Sequence, residues 1–235
     1  MSDLNILPES CLPRAQVTIK QDVSIGIPGA VYDCSLALAG YVVDEVLPDP
    51  PPPTLKITTA TPAGLWQNNK PRAKRWRVLE LGAGTGACGI IIAAAAAARG
   101  ILIDALLTDR NDAALNLAAL SAAAVATQVG CTIRTARYAF GDDAGRVLSL
   151  LSGGGGGDGG GGGGDSDSAP GCDVGRTDPP DLVVVSDVLY APESAAPLVA
   201  TLQQLLVRAG GWQGKVTRRD AVSYRLSRRT TSTPA

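Results

Sequence analysis

Histidine is absent from this chain of 235 residues. Its absence excludes catalysis by a serine–histidine or cysteine–histidine pair, metal centres with histidine ligands, and a histidine pH switch. Charged residues make up only 18% of the chain, and its net charge is -1. This balance disfavours a nucleic-acid-binding role, because proteins with that role usually carry a visible excess of positive charge.

Cysteine is sparse and lacks the close spacing of a disulfide framework or a zinc site. The five cysteines are Cys11, Cys34, Cys88, Cys131 and Cys172. Their odd number and wide separation favour reduced thiols in an intracellular protein without a structural metal. The acidic N-terminus does not resemble a secretory signal. We therefore expect a monomer in the cytoplasm or the nucleus.

The most apolar window, residues 87–107, is long enough to suggest a membrane span. Arg99 and Asp104 interrupt this window, and Arg99-Gly100 is typical of a helix end. The window is better explained by a buried helix followed by a buried strand. We therefore expect no membrane association.

Proline and glycine mark the segments that cannot pack into a core. Residues 48–53 read PDPPPP and open a Pro-rich linker that we place at 48–75. Residues 153–164 are glycine at every position except Asp158, which predicts a disordered insertion over 141–180. Glycine has no side chain to bury and a high entropy cost of ordering.

The remaining segments form an N-terminal unit, a core and a tail. Residues 1–47 are predicted to form a hairpin and a helix that pack on a core at 76–210. Residues 211–235 are basic and have no apolar run, which predicts a disordered tail. The core contains most of the candidate functional residues.

Strand and helix patterns alternate along the folded segments. Strands are predicted at 76–81, 103–109, 131–140 and 181–186, and a short hairpin or edge strand at 16–27. Helices are predicted at 33–46, 87–98, 112–125 and 192–208. Such alternation predicts an α/β fold with an open, mostly parallel sheet and helices on both faces.

A glycine-rich loop joins the first core strand to its helix. Residues 78–89 read VLELGAGTGACG. Gly84, Gly86 and Gly89 fit the dinucleotide pattern GxGxxG, whereas Glu80 with the glycines at 82, 84 and 86 fits the S-adenosylmethionine pattern ExGxGxG. Glu80 favours the second pattern, because an acid there would oppose a pyrophosphate but can reach an ammonium group, usually through water. Asp109 ends the next strand, where a carboxylate can bind ribose hydroxyls.

These segments resemble the lysine-directed branch of the seven-β-strand (class I) methyltransferases, methyltransferase family 16. The segments that carry the resemblance are VLELGAGTGACGI (78–90), LLTD (106–109), YAFGDD (138–143), DLVVVSDVLY (181–190) and, more weakly, IPGAVYDCSLALAGYV (27–42). The resemblance implies a Rossmann-like fold, S-adenosylmethionine as the cofactor and a protein substrate. The family has three more strands after the fourth, and we expect this chain to lack them because no apolar run follows residue 210.

The resemblance also assigns site residues. Its cofactor-binding positions are Glu80, Gly82, Ala83, Gly84, Gly86, Asp109, Arg110, Phe140 and Ser186. Its acceptor positions are Asp187 and Tyr190, which form a DxxY element, and Tyr32 and Asp33, where the family usually has Trp-Asp. Structural roles also fit some of these residues: Tyr190 and Phe140 as core aromatics, and Asp187 as the cap of a turn.

The chemistry implied is methyl transfer from a sulfonium to the neutral amine of a lysine. Free lysine is mostly protonated at neutral pH. Aromatic walls at Tyr32 and Tyr190 would disfavour the ammonium by desolvation, and Asp187 would orient the amine. Three alternatives stay open: a class I methyltransferase with a non-protein acceptor, an inactive truncated relative that serves as a binding partner, and a dinucleotide oxidoreductase.

Overall fold

The computed structural model describes residues 1–6, 17–47, 75–129, 131–152, 179–208, 216–219 and 221–225. Its strands are β1 (Ser2–Ile6), β2 (Val17–Gln21), β3 (Trp76–Leu81), β4 (Ile103–Asp109), β5 (Thr132–Arg137), β6 (Leu182–Val185), β7 (Val216–Arg219) and β8 (Ala221–Arg225). Its α-helices are α1 (Asp33–Tyr41), α2 (Ala87–Ala98), α3 (Asp112–Val129), α4 (Ala144–Leu151) and α5 (Ala195–Arg208). The predicted linker, apart from Arg75, and the glycine tract lie outside the described residues.

The main sheet has six strands in the order β5-β4-β3-β6-β8-β7. The first four of these are parallel, and β6 pairs with β8 and β8 with β7 in antiparallel fashion. Strands β1 and β2 form a separate antiparallel pair. The predicted Rossmann-like α/β fold with a mostly parallel sheet is confirmed.

Side chains that alternate along the central strands fill two cores, one on each face of the sheet. Val78 on β3 packs with α1, α2, α3 and β2, whereas Leu79 packs with α4 and α5. Helix α2 supplies the densest packing, since every side chain from Ala87 to Ala96 on it is buried. Alanine suits this position because it has the highest helix propensity and lets neighbouring elements approach closely.

The window at 87–107 is α2 followed by β4, as predicted, and the bounds of both elements match the prediction. Within the described ranges, no helix is long and apolar enough to cross a membrane. Helix α1 is shorter than predicted, because residues 42–46 form a π-helical turn. Residues 192–194 similarly form a 3-10 turn ahead of α5.

Two predictions of disorder were wrong where the structure describes the chain. Strands β7 and β8 lie within the predicted tail, and β8 pairs with β6 from Val185↔Val222 to Leu182↔Arg225. The strands pair through backbone hydrogen bonds, so their pairing cannot be predicted from a pattern of apolar side chains. It covers an edge of β6 that would otherwise be unpaired. The sheet therefore extends two strands beyond the expected four.

Helix α4 lies within the predicted insertion. Its buried residues Val147, Leu148 and Leu151 face the core, and the Asp143 carboxylate accepts a hydrogen bond from the Gly145 N–H as the N-cap. Strand β5 ends earlier than predicted, so that residues 138–140 leave the sheet. This early end has a functional consequence, because these three residues line a cavity.

Candidate functional site

One cavity lies beyond the carboxyl ends of β3, β4 and β6, where ligands of open parallel sheets bind. Its volume is about 170 Å³. A single bound water needs about 10–15 Å³ on this scale, so the cavity has room for a small organic molecule. Its wall is formed by 82–85, 109–110, 138–140 and 186–188 from the sheet side, together with residues from the N-terminal segment and the start of α5.

The glycine loop approaches its neighbours so closely that side chains are excluded. Gly82, Gly84 and Gly86 have φ values of 70°, 53° and 75°, which favour glycine. A Cβ on Gly84 would lie 3.0 Å from the Pro28 carbonyl oxygen, and one on Gly82 would lie 2.5 Å from Val188 Cγ1. The loop is therefore held between the N-terminal segment and the segment after β6.

Asp109 connects the loop to the end of β4. Its Oδ2 accepts a hydrogen bond from the Gly84 N–H at 2.9 Å, and its Oδ1 accepts one from the Asn111 N–H at 2.8 Å. The side chain is buried and lines the cavity. Each carboxylate oxygen has a second lone pair, so Asp109 keeps acceptor capacity for a hydroxyl donor.

Glu80 and Gly86, both predicted to bind cofactor, do not line the cavity. The Glu80 Oε2 accepts a hydrogen bond from the Gly89 N–H of α2 at 2.9 Å. The pKa of Glu80 is raised to about 8, chiefly because the side chain is buried; the Gly89 hydrogen bond acts to lower this pKa, and the nearby Asp109 charge acts to raise it. Gly86 precedes α2, and a Cβ there would lie 2.8 Å from Leu107 Cδ1.

The segment after β6 brings Ser186, Asp187 and Tyr190 to the cavity. Ser186 is buried, and its hydroxyl lies 3.3 Å from that of Ser35 on α1. Asp187 has a φ of 49°, and it is the one non-glycine residue with positive φ in the part of the chain described. Such backbone strain concentrates at functional sites. Tyr190 is 50% exposed at the mouth of the cavity.

The Tyr32-Asp33 pair is divided between the cavity and the surface. Tyr32 lines the cavity and is 37% exposed. Asp33 is the exposed first residue of α1 and does not line the cavity. Phe140, Ala83 and Arg110, which the resemblance assigns to cofactor binding, line the cavity. The cavity thus brings together all predicted site residues except Asp33, Glu80 and Gly86.

Sequence reasoning missed several residues of the wall. They flank the predicted positions or come from the N-terminal segment and the start of α5: Ile27, Pro28, Ala30, Ser35, Thr85, Tyr138, Ala139, Val188, Glu193, Ser194 and Pro197. The residues next to the predicted motifs could have been predicted from their proximity in sequence. The residues at the start of α5 could not, because only the tertiary fold brings them to the cavity. In the described ranges, no group of acidic or cysteine side chains could hold a metal ion.

The chain matches a model of a known protein family. A family model described as "Lysine methyltransferase" matches residues 12–136, which is more than half of the chain. The match includes the N-terminal segment, the glycine loop and Asp109, and it ends before Phe140 and the segment after β6. No curated protein matches the chain.

Proposed function

The chain belongs to the lysine methyltransferase family, and we propose that it transfers a methyl group from S-adenosylmethionine to a lysine side chain of a protein. The observation that carries the proposal is the cavity at the carboxyl ends of β3, β4 and β6. There the glycine loop, the buried Asp109 and the segment Ser186–Tyr190 share one wall.

The residues of this wall fit S-adenosylmethionine. The glycines at 82 and 84 leave the loop backbone without side chains at the cavity, so that a ligand can approach it. Asp109 would accept hydrogen bonds from the ribose hydroxyls with its remaining lone pairs, and Phe140 would contact the adenine. When bound, the cofactor supplies an electrophilic methyl group on a sulfonium.

The chain's own residues would prepare the acceptor lysine. Tyr32 and Tyr190 line the cavity with aromatic rings, and replacing water around an ammonium by such surfaces favours the neutral amine. The Asp187 carboxylate would accept a hydrogen bond from the amine and fix its direction. The amine lone pair would form the new N–CH3 bond as the methyl–sulfur bond breaks. The electron pair of that bond would stay on sulfur, which becomes a neutral thioether, and the methylated ammonium would release a proton to solvent. Catalysis would consist of desolvation and positioning, for which no histidine is required.

Glu80 would act indirectly. Its hydrogen bond to the Gly89 N–H ties β3 to the first turn of α2, directly after the glycine loop. We therefore assign Glu80 the role of a positioning residue that sets the loop against α2. A bridging water to the methionine ammonium is compatible with this role.

Isothermal titration calorimetry with S-adenosylmethionine tests the cofactor. We expect Asp109→Ala to weaken binding about 10–100-fold, since hydrogen bonds to a charged group contribute about 1.5–3 kcal/mol. Asp112→Ala is the matched control, because Asp112 is exposed, pairs with Arg137 and does not line the cavity. Equal affinity of wild type and Asp109→Ala, or no binding by either, would contradict the proposal.

Transfer of labelled methyl into a cell extract, with identification of the modified molecule, tests the acceptor. We expect label on a protein lysine, and loss of label with Tyr190→Ala or Asp187→Asn at unchanged cofactor affinity. Label on a nucleic acid or a small molecule would instead indicate a non-protein acceptor. The alternative of an inactive, truncated relative rested on missing strands, and β7 and β8 remove part of that basis.

A further inference from the structure

Ile27 and Glu193 line the same cavity but belong to neither predicted set of site residues. Ile27 begins a 3-10 turn in the N-terminal segment, and Glu193 lies in the 3-10 turn three residues after Tyr190. Both side chains are exposed. They therefore stand where the cavity opens to solvent, beside the residues assigned to the acceptor lysine.

Ile27 is part of an apolar rim. Ile27, Tyr32 and Tyr190 are 45%, 37% and 50% exposed, and all three line the cavity. Large apolar side chains grouped at a cavity mouth are typical of binding sites. An apolar side chain of a partner would remove this surface from water, which is favourable in proportion to the area buried.

Glu193 is a carboxylate without a competing contact. Among the residues that the structure describes, it makes no hydrogen bond or ion pair, whereas the Asp109 carboxylate already accepts two backbone N–H groups. The other charged residues of the wall are Asp187 and Arg110. Carboxylates thus outnumber the single guanidinium, and Glu193 is free to pair with a cationic group of a substrate.

On the basis of the proposed function, we propose that Ile27 and Glu193 select the substrate. They accept a protein segment in which the target lysine lies beside one apolar residue, held by the rim, and a second basic residue, held by Glu193. The surplus of carboxylates would repel phosphate groups, so the complementary partner is a basic polypeptide and not a nucleic acid.

The charge effect should be modest and sensitive to salt. An exposed ion pair contributes about 0.2–1 kcal/mol, which corresponds to at most about a 5-fold change in kcat/KM. Reversal of the charge replaces attraction by repulsion, so we expect roughly a 10-fold change between basic and acidic substrates. The preference should shrink as ionic strength rises, because salt screens exposed charges.

The test uses lysine-centred peptide libraries that carry arginine, aspartate, leucine or glycine beside the lysine, with labelled S-adenosylmethionine. Wild type is compared with Glu193→Lys and Ile27→Ser. The control variants are Glu45→Lys and Val207→Ser, which change exposed residues away from the cavity. Cofactor affinity is measured for every variant, so that a variant that fails to fold is recognised, and Glu193→Gln provides a milder change.

We expect wild type to prefer arginine-containing peptides, Glu193→Lys to prefer aspartate-containing ones, and Ile27→Ser to lose the preference for leucine. The controls should behave as wild type. Peptides methylated without such preferences, or equal preferences in Glu193→Lys and Glu45→Lys, would overturn this inference and leave the proposed function intact. Cofactor binding without transfer to any peptide or extract protein would contradict the proposed function, and this inference with it.

Discussion

Replacement of Gly89 by alanine tests how tightly the buried carboxylate of Glu80 is enclosed. Gly89 lies in the first turn of α2, and its N–H donates to Glu80 Oε2. A Cβ at this position would lie 2.5 Å from Glu80 Oε2 and 2.5 Å from Leu107 Cδ2. Both neighbours are themselves buried, so neither can move without disturbing the core.

Two destabilising effects of Gly89→Ala are expected to outweigh one stabilising effect. Overpacking of a core costs about 1–3 kcal/mol, and disruption of a hydrogen bond to the protonated, neutral Glu80 carboxyl costs about 0.5–1.5 kcal/mol. Alanine gains about 1 kcal/mol over glycine in helix propensity. We therefore expect Gly89→Ala to lower the free energy of unfolding by about 2 kcal/mol.

Gly40 provides the matched control. It lies in α1, and a Cβ there would meet nothing within 4 Å. Gly40→Ala should therefore raise the free energy of unfolding by up to about 1 kcal/mol. Urea unfolding followed by circular dichroism measures both variants. If Gly89→Ala were as stable as Gly40→Ala, the enclosure of Glu80 by α2 would be refuted.

Two further predictions concern the strained aspartate and the buried glutamate. Asp187→Gly should raise the midpoint of thermal unfolding, because glycine adopts the φ of 49° at a cost lower by about 1 kcal/mol. The same change should abolish methyl transfer. A lower midpoint would contradict the claim that the Asp187 backbone is strained. Glu80 keeps its proton in the folded protein up to a pKa of about 8, but in the unfolded chain it loses the proton near the ordinary glutamate pKa of 4.5. The free energy of unfolding should therefore fall as pH rises between these two values. Glu80→Gln should flatten this fall in urea titrations from pH 5 to 8, and parallel curves for the two proteins would refute the burial argument.

The parallel part of the fold could be predicted because its signals are local. Strand β3 is a contiguous, mostly apolar stretch, helix α2 is a contiguous alanine-rich stretch, and the glycines between them indicate the turn. The same locality brought Asp109 and Ser186 to one edge, since the carboxyl ends of parallel strands meet there. The positions of the glycine loop and Asp109 follow from this rule, whereas the family resemblance assigned the remaining site residues.

The antiparallel edge and the position of Glu80 depend on contacts between distant residues. Strand β8 is specified by its pairing with β6, which no pattern within residues 216–225 reveals. Glu80 shares the face of β3 that Val78 occupies, and this face is covered by α2. The alternation of side chains along a strand predicts that Glu80 and Val78 lie on the same face of β3. The contact with Gly89 can be predicted only if it is also known that α2 packs on that face.

The N-terminal segment gives the site its second wall. The sequence motifs placed the chemistry in the core at 76–210, yet Pro28 closes over Gly84, and Ser35 reaches Ser186 across the cavity. The segment is anchored by side chains such as Leu38, which are buried in the same cluster as α2. Because this anchoring and the cavity wall use one continuous stretch of chain, the packing of α1 on α2 also holds this part of the wall in place. The candidate site is thus formed by both segments together, and the core motifs alone would lack the part of the wall that residues 27–35 supply.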